Sequence, residues 1–455
     1  MKLDIVILAA GQGTRMHSDK PKVLHELAGK PLLTHVYHGA KTLNPDSIYI
    51  VYGYGGNEVY ESLPALDVEW VEQAEQLGTG HAVQQVIPNI DDDNLVLVLY
   101  GDVPLITNDT LKALVETGRS SGFSLLTAFL DEPRGYGRII RDENGRMLRI
   151  VEEKDATPEE KAINEINTGF MVVKASLLKP WLKKLGNDNA QKEYYLTDII
   201  EIAVSEGSEI ETLQPGSEIE IYGVNDRAQL SQMERYYQLI QSHELMRQGV
   251  TIFDPARFDL RGDLEVGQDV EIDINVLLEG RNRIGKNVRI GPNCIIKDTV
   301  IGDDVEIKAN CVIENAVIGN ACQIGPFSRI RPDAVLEDHV HVGNFVELKK
   351  STIGHGTKIN HLSYVGDSEV GMNVNIGAGT ITCNYDGANK HKTIIGDNVF
   401  IGSDTQLVAP VTVKNGATIA AGTTVCRDVE EDALAISRTE QKVVKKWKRP
   451  GKTKH

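Results

Sequence analysis

Residues 284–313 read IGKNVRIGPNCIIKDTVIGDDVEIKANCVI, and this stretch determines the architecture of the carboxyl-terminal half. An aliphatic residue returns at every sixth position, as at Ile284 and Ile290, and the residue four positions after it is usually small or β-branched. A period of six fits neither the turn of an α-helix, at about 3.6 residues, nor the alternation of a β-strand. It is typical of a parallel β-helix, in which each six-residue unit supplies one short strand and one corner.

The same repeat extends over most of the second half of the chain. Its aliphatic anchors, which we expect to point into the coil, are Val266, Ile272, Leu278, Ile284, Ile290, Ile296, Ile301, Ile307, Ile313, Ile318, Ile324, Ile330, Leu336, Val342, Leu348, Ile353, Ile359, Val365, Val370, Ile376, Ile395, Ile401, Leu407, Val413, Ile419 and Val425. Glycine often follows the anchor, and we expect it to allow a tight corner. Solenoids of this kind leave long flat faces, so we also expect a homo-oligomer.

The composition is that of an ordinary soluble protein with room for two or three domains. The 455 residues are 41% hydrophobic and 25% charged, and the apolar run Ile5–Ala10 is too short to span a membrane or to form a full signal-peptide core. We therefore expect a cytoplasmic protein. A formal net charge of −17 argues against general nucleic-acid binding. The basic segment 442–455 is either a solvated tail or an attractor of a polyphosphate ligand.

The amino-terminal half alternates apolar runs with helical or loop-like segments and is predicted to form an α/β sheet. The runs are Leu3–Ala10, Ile48–Tyr52, Leu95–Tyr100, Phe123–Leu130 and Gly169–Val173. Residues 226–248 have apolar positions at helical spacing and are followed by Gly249, so they are predicted to form a long connecting helix. We expect domains at residues 1–226 and 250–455, joined by a linker helix at 227–249.

A glycine loop follows the first apolar run. In Gly11-Gln12-Gly13-Thr14-Arg15-Met16, two glycines let backbone N–H groups converge on an anion, and Arg15 and Lys22 are placed to neutralise phosphate charge. The loop matches neither the dinucleotide fingerprint nor the Walker loop. Taken alone, it is equally well interpreted as a plain turn between a strand and a helix.

Polar groups also follow the later strands. Asp102 lies at the carboxyl end of the predicted central strand, where ligands bind in open α/β sheets, and its carboxylate suits Mg²⁺ on a triphosphate, although a structural role is equally open. Leu77–Ala82 is a second small-residue loop that enters a helix, and it suits the close approach of a base or a phosphate.

Several motifs together carry a resemblance to a known family. Leu8-Ala9-Ala10-Gly11-x-Gly13-Thr14-Arg15-Met16, followed by Pro21-Lys22, resembles the motif of sugar-1-phosphate nucleotidyltransferases. The hexapeptide repeats make the resemblance specific to one family among these enzymes. So do Gln73, Gly78-Thr79, Tyr100-Gly101-Asp102, His361-x-x-Tyr364 and Asn384-Tyr385-Asp386-Gly387. With them the whole chain resembles the bifunctional bacterial N-acetylglucosamine-1-phosphate uridyltransferase/glucosamine-1-phosphate acetyltransferase family. The resemblance implies a Rossmann-like α/β nucleotidyltransferase domain, a connecting helix and a left-handed parallel β-helix.

The resemblance implies two consecutive reactions. Acetyl transfer from acetyl-CoA to glucosamine 1-phosphate belongs to the β-helix, and uridylyl transfer from UTP to N-acetylglucosamine 1-phosphate, with Mg²⁺, belongs to the amino-terminal domain. The product, UDP-N-acetylglucosamine, supplies cell-wall and lipopolysaccharide synthesis. The resemblance further implies a homotrimer with small-molecule substrates only, and with no nucleic acid and no membrane span.

The resemblance also assigns roles to single residues. In the amino-terminal domain, the substrate-binding positions are Leu8, Ala9, Ala10, Gly11, Arg15, Lys22, Gln73, Gly78, Thr79, Tyr100, Gly101, Asp102, Gly137, Glu152, Asn167 and Asn225, with Asp102 and Asn225 on the metal. In the β-helix, His361 is the general base, and Glu347 is a possible orienting carboxylate. The amino-sugar phosphate and coenzyme positions are Arg331, Lys349, Tyr364, Asn375, Ala378, Asn384, Tyr385, Lys390, Ser403, Ala421 and Arg438.

The chain departs from the family pattern at three positions that have no assigned role. Gln12 replaces a common lysine, Arg134 a common threonine, and Lys192 a usual glycine, which leaves the conformation of the Lys192 loop open. Two other functions compete with the bifunctional enzyme. One is a single-activity sugar-1-phosphate nucleotidyltransferase with a noncatalytic β-helix, which leaves His361 and the Asn384–Lys390 insertion unexplained. The other is a scaffold without turnover, which predicts an eroded phosphate loop.

Overall fold

The computed structural model describes residues 1–53 and 55–449, and the chain in it divides into two compact units, residues 1–237 and the residues from Gln238 onward. The last six residues of the basic tail, 450–455, lie outside the described residues. Within the described ranges, no helix is both long and apolar enough to cross a bilayer.

The first unit is built on a mixed β-sheet. Its strands, with the separate hairpin β2–β3, are β1 (Leu3–Leu8), β2 (Glu26–Leu27), β3 (Lys30–Pro31), β4 (Ser47–Tyr52), β5 (Glu69–Glu72), β6 (Leu95–Tyr100), β7 (Phe123–Phe129), β8 (Arg138–Arg141), β9 (Met147–Val151), β10 (Glu165–Lys174) and β11 (Glu211–Leu213). The strand order is β11-β7-β10-β6-β1-β4-β5, with β8 paired to β10 and β9 paired to β8. β1 runs parallel to β4 and β6, whereas β10 is antiparallel to β6 and β7.

Helices cover both faces of this sheet. On one face lie α1 (Leu32–Lys41), α2 (Asn57–Ser62) and α4 (Asn108–Ser121), and on the other lie α3 (Thr79–Val86), α6 (Ala175–Leu182) and α7 (Ile199–Ser205). The short α5 (Pro158–Lys161) has no buried residue, and α8 (Arg227–Arg247) continues past Tyr237 into the second unit. Alternate residues of the fully buried β1 enter two different cores: Ile5 and Ile7 pack on one side of the sheet, and Val6 and Leu8 on the other. The predicted strands are therefore present, and α8 agrees with the predicted helix to within one residue at each end.

The second unit is a parallel β-helix, as predicted. Its strands are β12 (Thr251–Ile252), β13 (Phe258–Val266), β14 (Glu271–Ile272), β15 (Val276–Ile284), β16 (Arg289–Ile290), β17 (Ile295–Lys297), β18 (Val300–Ile301), β19 (Glu306–Ile307), β20 (Val312–Glu314), β21 (Val317–Ile318), β22 (Gln323–Ile324), β23 (Arg329–Ile330), β24 (Val335–Leu336), β25 (His341–Asn344), β26 (Glu347–Lys349), β27 (Thr352–Ile353), β28 (Lys358–His361), β29 (Tyr364–Gly366), β30 (Ser368–Val370), β31 (Asn375–Ile376), β32 (Ile381–Cys383), β33 (Thr393–Ile395), β34 (Phe400–Ile401), β35 (Gln406–Val408), β36 (Val411–Val413), β37 (Thr418–Ile419), β38 (Thr424–Val425) and β39 (Leu434–Ala435). They form an 11-stranded sheet and a 17-stranded sheet.

Strand pairing shows that the anchors stack directly on one another. Ile290 pairs with Ile307, Ile307 pairs with Ile324, and the same relation continues along each row of strands. Ile284 pairs with Ile301, so the shortened corner before Ile301 leaves the stack intact. All the predicted anchors are buried except the half-buried Val266 at the start of the repeat. The apolar column inside the coils is therefore the core of this unit.

The role expected for the glycines just after the anchors is wrong for most of them, although Gly325 has a φ of 97°. The corner residue that adopts a left-handed conformation is usually the third after the anchor, and it is often asparagine or aspartate, as at Asn287 (φ 55°) and Asp304 (φ 59°). The glycine just after the anchor serves a different purpose, because a Cβ on Gly302 would lie 2.9 Å from the carbonyl carbon of Gly319 in the next coil. Glycine is needed there for the close approach of successive coils.

The break predicted after Thr382 is a loop that leaves the coil and returns to it. Tyr385 and Lys390 form a β-bridge within this loop. Ile376, before the loop, pairs with Ile401, after it, as Ile359 pairs with Ile376 in the preceding coil. The stack of coils therefore continues in register past the insertion.

Candidate functional sites

The glycine loop borders a cavity of about 470 Å³ at the carboxyl ends of β1 and β6. The predicted residues that line it are Leu8, Ala9, Ala10, Gly11, Lys22, Gln73, Gly78, Thr79, Tyr100 and Asp102. Gly13 has φ +60°, and a Cβ on it would lie 2.7 Å from Lys22 Cβ, so glycine at this position lets the lysine stem pass against the loop. The strand ends thus bring together residues that are far apart in sequence.

Two oxygen ligands and one cation meet at the edge of this cavity. The Lys22 ammonium forms an ion pair with Asp102 and lies 3.2 Å from Asn225 Oδ1. A carboxylate and an amide oxygen that converge on one positive charge are a suitable donor set for Mg²⁺, which usually takes one or two protein ligands and completes its shell with water and phosphate. The residues present therefore fit the metal that the resemblance implies.

A buried glutamine shapes the far wall of the cavity. Gln73 is 3% exposed, and its Nε2 donates a hydrogen bond of 3.0 Å to the carbonyl oxygen of Gly78. Gly78 precedes α3 with φ +108°, and a Cβ on it would lie 2.7 Å from the carbonyl oxygen of Tyr194. The loop before α3 is held tightly between β5 and the Tyr194 segment, which leaves Thr79 on the cavity wall.

A second cavity, of about 270 Å³, shares Thr79 and Tyr100 with the first. The predicted sugar residues Gly137, Glu152 and Asn167 line it. Glu152 accepts a hydrogen bond of 2.8 Å from Thr197 Oγ1, and burial raises the pKa of this carboxyl, with further repulsion from nearby acidic groups. Burial also raises the pKa of Tyr100. The wall therefore offers polar acceptors in a desolvated setting, as recognition of sugar hydroxyls requires.

Sequence reasoning missed part of this wall. Glu193 borders both cavities, and Thr197 lines the second, where its hydroxyl holds Glu152. Both residues come from the segment after α6, which had no recognisable motif. Lys192 in the same segment adopts φ 57°, so the loop keeps the left-handed conformation for which glycine is suited. Gln12, another departure from the family pattern, lines the first cavity.

Two predicted residues stand apart from the cavity walls. Arg15 is exposed on a short 3₁₀-helix, Thr14–Met16. Gly101 has a structural place, because its N–H donates a hydrogen bond of 2.9 Å to the carbonyl oxygen of Leu8 and joins the ends of the two central strands.

The β-helix carries four predicted residues, His361, Ala378, Ser403 and Ala421, along one edge. Each stands two positions after a stacked anchor in consecutive coils, and Asn344, which was not predicted, occupies the same place in the coil before them. Parallel strands lie about 4.8 Å apart, so this row extends for about 19 Å. Arg438 Nη2 donates a hydrogen bond of 3.3 Å to the carbonyl oxygen of Ala421 at its end. We name this row the coenzyme edge.

His361 is exposed on the coenzyme edge, and the group that faces it is not the one expected. Its Nδ1 lies 2.9 Å from Asn344 Oδ1 in the preceding coil. Glu347, the carboxylate expected to orient it, instead accepts a hydrogen bond of 2.8 Å from Arg331 Nη1. The orienting role of Glu347 is therefore not supported, because its Oε1 is committed to a guanidinium.

Two lysines, Lys349 and Lys390, lie together on the neighbouring face, and we call them the cationic group. Lys349 contacts Lys390, and this contact lowers the pKa of Lys390 because two ammonium groups repel each other. Lys349 also lies 3.5 Å from Asp367, which binds the Asn384 amide. Two adjacent ammonium groups with only one carboxylate between them are suited to bind a phosphate.

The remaining predicted residues of this unit do not all lie near the cationic group. Tyr364 pairs with Glu347 and lies near the cationic group. Tyr385 is 60% exposed on the insertion loop, and its hydroxyl donates to the carbonyl oxygen of Gly387. Asn375 pairs with Lys358, at the opposite end of β28 from His361, so the structure does not bring it to the cationic group.

Comparisons with known proteins agree with both units. Residues 5–165 match the MobA-like NTP transferase domain, residues 260–344 match the GMPPB C-terminal domain, and residues 392–427 match the bacterial transferase hexapeptide family of six repeats. Among solved structures, a nucleotidyl transferase from Methanothermobacter thermautotroptrophicus is 21% identical with a TM-score of 0.38, and the match covers 54% of this chain and 99% of that one.

A curated relative matches the whole chain. The bifunctional protein GlmU of Methylococcus capsulatus is 58% identical over 455 residues, which cover 100% of this chain and 99% of the relative. Nucleotidyltransferase and hexapeptide transferase matches occur in the same order as the two structural units. With identity of this extent, the chain belongs to the GlmU family of bifunctional enzymes.

Proposed function

We propose that the two cavities of the first unit perform uridylyl transfer and that the coenzyme edge, with the cationic group beside it, performs acetyl transfer. As a family member, the chain is a bifunctional enzyme with nucleotidyltransferase and acetyltransferase activities. The observation that carries the assignment of sites is their separation, because each unit holds its own cluster of chemically suited side chains. The proposed domains remain 1–226 and 250–455, with a linker helix at 227–249.

In uridylyl transfer, a phosphate oxygen of N-acetylglucosamine 1-phosphate attacks the α-phosphorus of UTP, and pyrophosphate leaves. This chemistry depends on positioning and charge neutralisation. The glycine loop would cradle the phosphates, Lys22 and Arg15 would neutralise them, and the Gln73–Thr79 wall would hold the uracil. Gly137, Glu152 and Asn167 would bind the sugar. Mg²⁺ held by Asp102 and Asn225 would stabilise charge on the phosphates.

In acetyl transfer, the amine of glucosamine 1-phosphate attacks the thioester carbonyl of acetyl-CoA, and the coenzyme thiolate leaves. His361 Nε2 would accept the proton that the amine loses. Arg331, Lys349 and Lys390 would bind the sugar phosphate, together with Asn384, Tyr364, Tyr385 and Asn375. Ala378, Ser403, Ala421 and Arg438 would contact the coenzyme along the edge.

We also propose that the chain is a homotrimer and works in the cytoplasm. Large apolar side chains on the outside of the β-helix support association, among them the stacked Phe327 and Phe345, which are 50% and 55% exposed. Light scattering after size exclusion tests the trimer, and cell fractionation tests the location. A monomeric mass at micromolar concentration would count against the trimer.

The experiment that tests the two sites uses the full chain and two assays. Thiol release reports acetyl transfer from acetyl-CoA to glucosamine 1-phosphate, and pyrophosphate release reports uridylyl transfer. His361→Ala should lower the first by about 10²–10⁴-fold and leave the second unchanged, since this is the usual contribution of a general base. Asp102→Ala should lower pyrophosphate release and leave thiol release unchanged. If wild type releases pyrophosphate but no thiol, the single-activity alternative is correct.

A further inference from the structure

His361 and Asn344 are held opposite each other by the fold itself. They are paired positions on the adjacent strands β28 and β25, separated by 17 residues. The backbone on either side fixes the pair, because Leu362 N–H donates a hydrogen bond of 3.1 Å to the carbonyl oxygen of Asn344. The contact of 2.9 Å between the two side chains therefore follows from the stacking of two coils.

This contact determines which ring nitrogen carries the proton. With the Asn344 amide oriented so that its oxygen faces the ring, the oxygen accepts and His361 Nδ1 is the donor. In a neutral imidazole the other nitrogen then has the lone pair. Nε2 is consequently the atom available to accept a proton, and the hydrogen bond opposes rotation of the ring about its Cβ–Cγ bond.

The surrounding strands contain few other groups that compete for this contact. β28 packs between β25 and β31, and the other charged or titratable residues on these three strands are His341 and Lys358. These two pair with each other at the opposite end of the strands from His361. Glu347, the carboxylate that we expected to orient His361, accepts a hydrogen bond from Arg331 instead.

We infer that Asn344 is a positioning residue for acetyl transfer: its amide oxygen holds His361 in the tautomer that presents a basic Nε2 to the amine. The inference rests on the proposed role of His361 as general base. Asn344 contacts the reacting atoms only through the imidazole. A neutral acceptor keeps the imidazole neutral as well as oriented, whereas a carboxylate in its place would favour the protonated ring.

Three variants of the full chain test this inference. Asn344→Leu keeps the approximate size but removes the acceptor, and we expect kcat for acetyl transfer to fall about 10- to 100-fold, as for other groups that orient a functional histidine. The KM for acetyl-CoA should stay within about threefold. Asn344→Asp restores an acceptor, so most of kcat should return, and the acid limb of the kcat–pH profile should move to higher pH. His361→Gln should lower thiol release by about 10²–10⁴-fold, as His361→Ala should.

Controls separate this effect from misfolding and from a general change of charge. Asn293 Oδ1 accepts a hydrogen bond of 3.0 Å from Asn275 in another coil, so Asn293→Asp also retains a hydrogen bond and adds one charge. It should leave the acetyl-transfer pH profile unchanged. Uridylyl transfer, measured in every variant, should stay at the wild-type level.

A direct measurement on the wild type does not depend on the stability of the Asn344 variants. Ring ¹⁵N shifts of histidine-labelled protein distinguish the two neutral tautomers, and the His361 signal is identified by its loss in His361→Gln. A proton on Nδ1 supports the inference, and a proton on Nε2 overturns it. Wild-type kcat in Asn344→Leu, or an unshifted acid limb in Asn344→Asp, also overturns it. A loss of acetyl transfer of less than about tenfold in His361→Gln would instead reject the proposed base.

Discussion

The Lys22 ammonium lies 3.2 Å from Asn225 Oδ1 and forms an ion pair with Asp102 in the same place. The side chains of Lys22 and Asp102 are only 14% and 17% exposed, so the pair is shielded from bulk solvent. A divalent cation held by the same two oxygens would compete with this ammonium. Lys22 would then be available to neutralise phosphate charge.

Lys22→Met should therefore have two opposite effects. Metal binding without nucleotide should become several-fold tighter, because the competing ammonium is gone. Uridylyl transfer should fall by about 10²–10³-fold, the usual effect of removing one group that stabilises transition-state charge. Titration with Mn²⁺ followed by electron paramagnetic resonance measures the first effect, and pyrophosphate release measures the second.

A nearby lysine offers a matched control. Lys20 lies 3.8 Å from Glu26 on the surface, and Lys20→Met should change neither Mn²⁺ affinity nor turnover appreciably. Weaker Mn²⁺ binding in Lys22→Met would contradict the competition.

Asp198 makes the stability of the first unit depend on pH. Burial, then repulsion from Glu152, raises the pKa of Asp198 to about 6. An unfolded aspartate titrates near pH 3.9, so the native state binds the extra proton between about pH 4 and 6. Stabilisation by this group is complete below that window and is lost as the pH rises through 6.

Asp198→Asn should thus stabilise the protein at pH 8 and have little effect near pH 4. After allowance for solvent screening of a partly exposed group we expect about 1 kcal/mol, or about 2–4 °C in Tm. Calorimetry at the two pH values measures it, with Asp93→Asn as a control at a side chain that is 95% exposed. An equal gain at both pH values would show that charge is not the cause.

Lys192 bears a Cβ in a backbone conformation that favours glycine, with φ 57°. Lys192→Gly should raise stability by up to about 1 kcal/mol, since relief of the strain exceeds the added freedom of the unfolded chain. Lys192→Ala keeps the Cβ and removes only the exposed ion pair with Asp188, so its Tm should stay near that of wild type. Equal Tm changes in the two variants would refute the strain argument.

Asp386 organises the insertion loop. Its carboxylate accepts hydrogen bonds of 2.7 Å from Asn389 N–H and 2.8 Å from Ala388 N–H, and it lies 2.7 Å from His391 Nε2. The Asn389 N–H, followed by His391, holds the pKa of Asp386 below its usual range, so the group stays ionised at assay pH. Asp386→Ala should raise the KM for glucosamine 1-phosphate about tenfold, because the loop that carries Asn384 and Lys390 loses its fixed shape.

The control for this loop is Asn389→Ala, which keeps the backbone donor and should retain the wild-type KM. Uridylyl transfer should be the same in both variants. An unchanged KM in Asp386→Ala would mean that the loop shape does not depend on this carboxylate.

The fold was predictable where the pattern is local. The hexapeptide period led directly to stacked anchors, since Ile290 and Ile307 occupy equivalent places in adjacent coils. The reason for the glycines was not predictable, because the atoms that exclude a Cβ at Gly302 belong to Gly319 in the next coil. A single repeat contains no information about its neighbour's backbone.

The candidate sites show the same limit. Strand ends placed Asp102 correctly beside the glycine loop, whereas Glu193 and Thr197 reach the cavities through a long, motif-free segment. Asn344 was missed although the repeat contained the necessary signal. Counting back one coil of 17 residues from His361 arrives at Asn344.

The direct pairing of Ile376 with Ile401 around the insertion has a consequence for how such enzymes diversify. Because the coils stay in register on both sides of the loop, a change in loop length costs little in closure entropy. Asn384 is the exception within the loop, since it is buried and bonded to Asp367 of the coil. We expect that replacement of residues 385–390 would alter the acceptor pocket while the row from Asn344 to Ala421 stays in place.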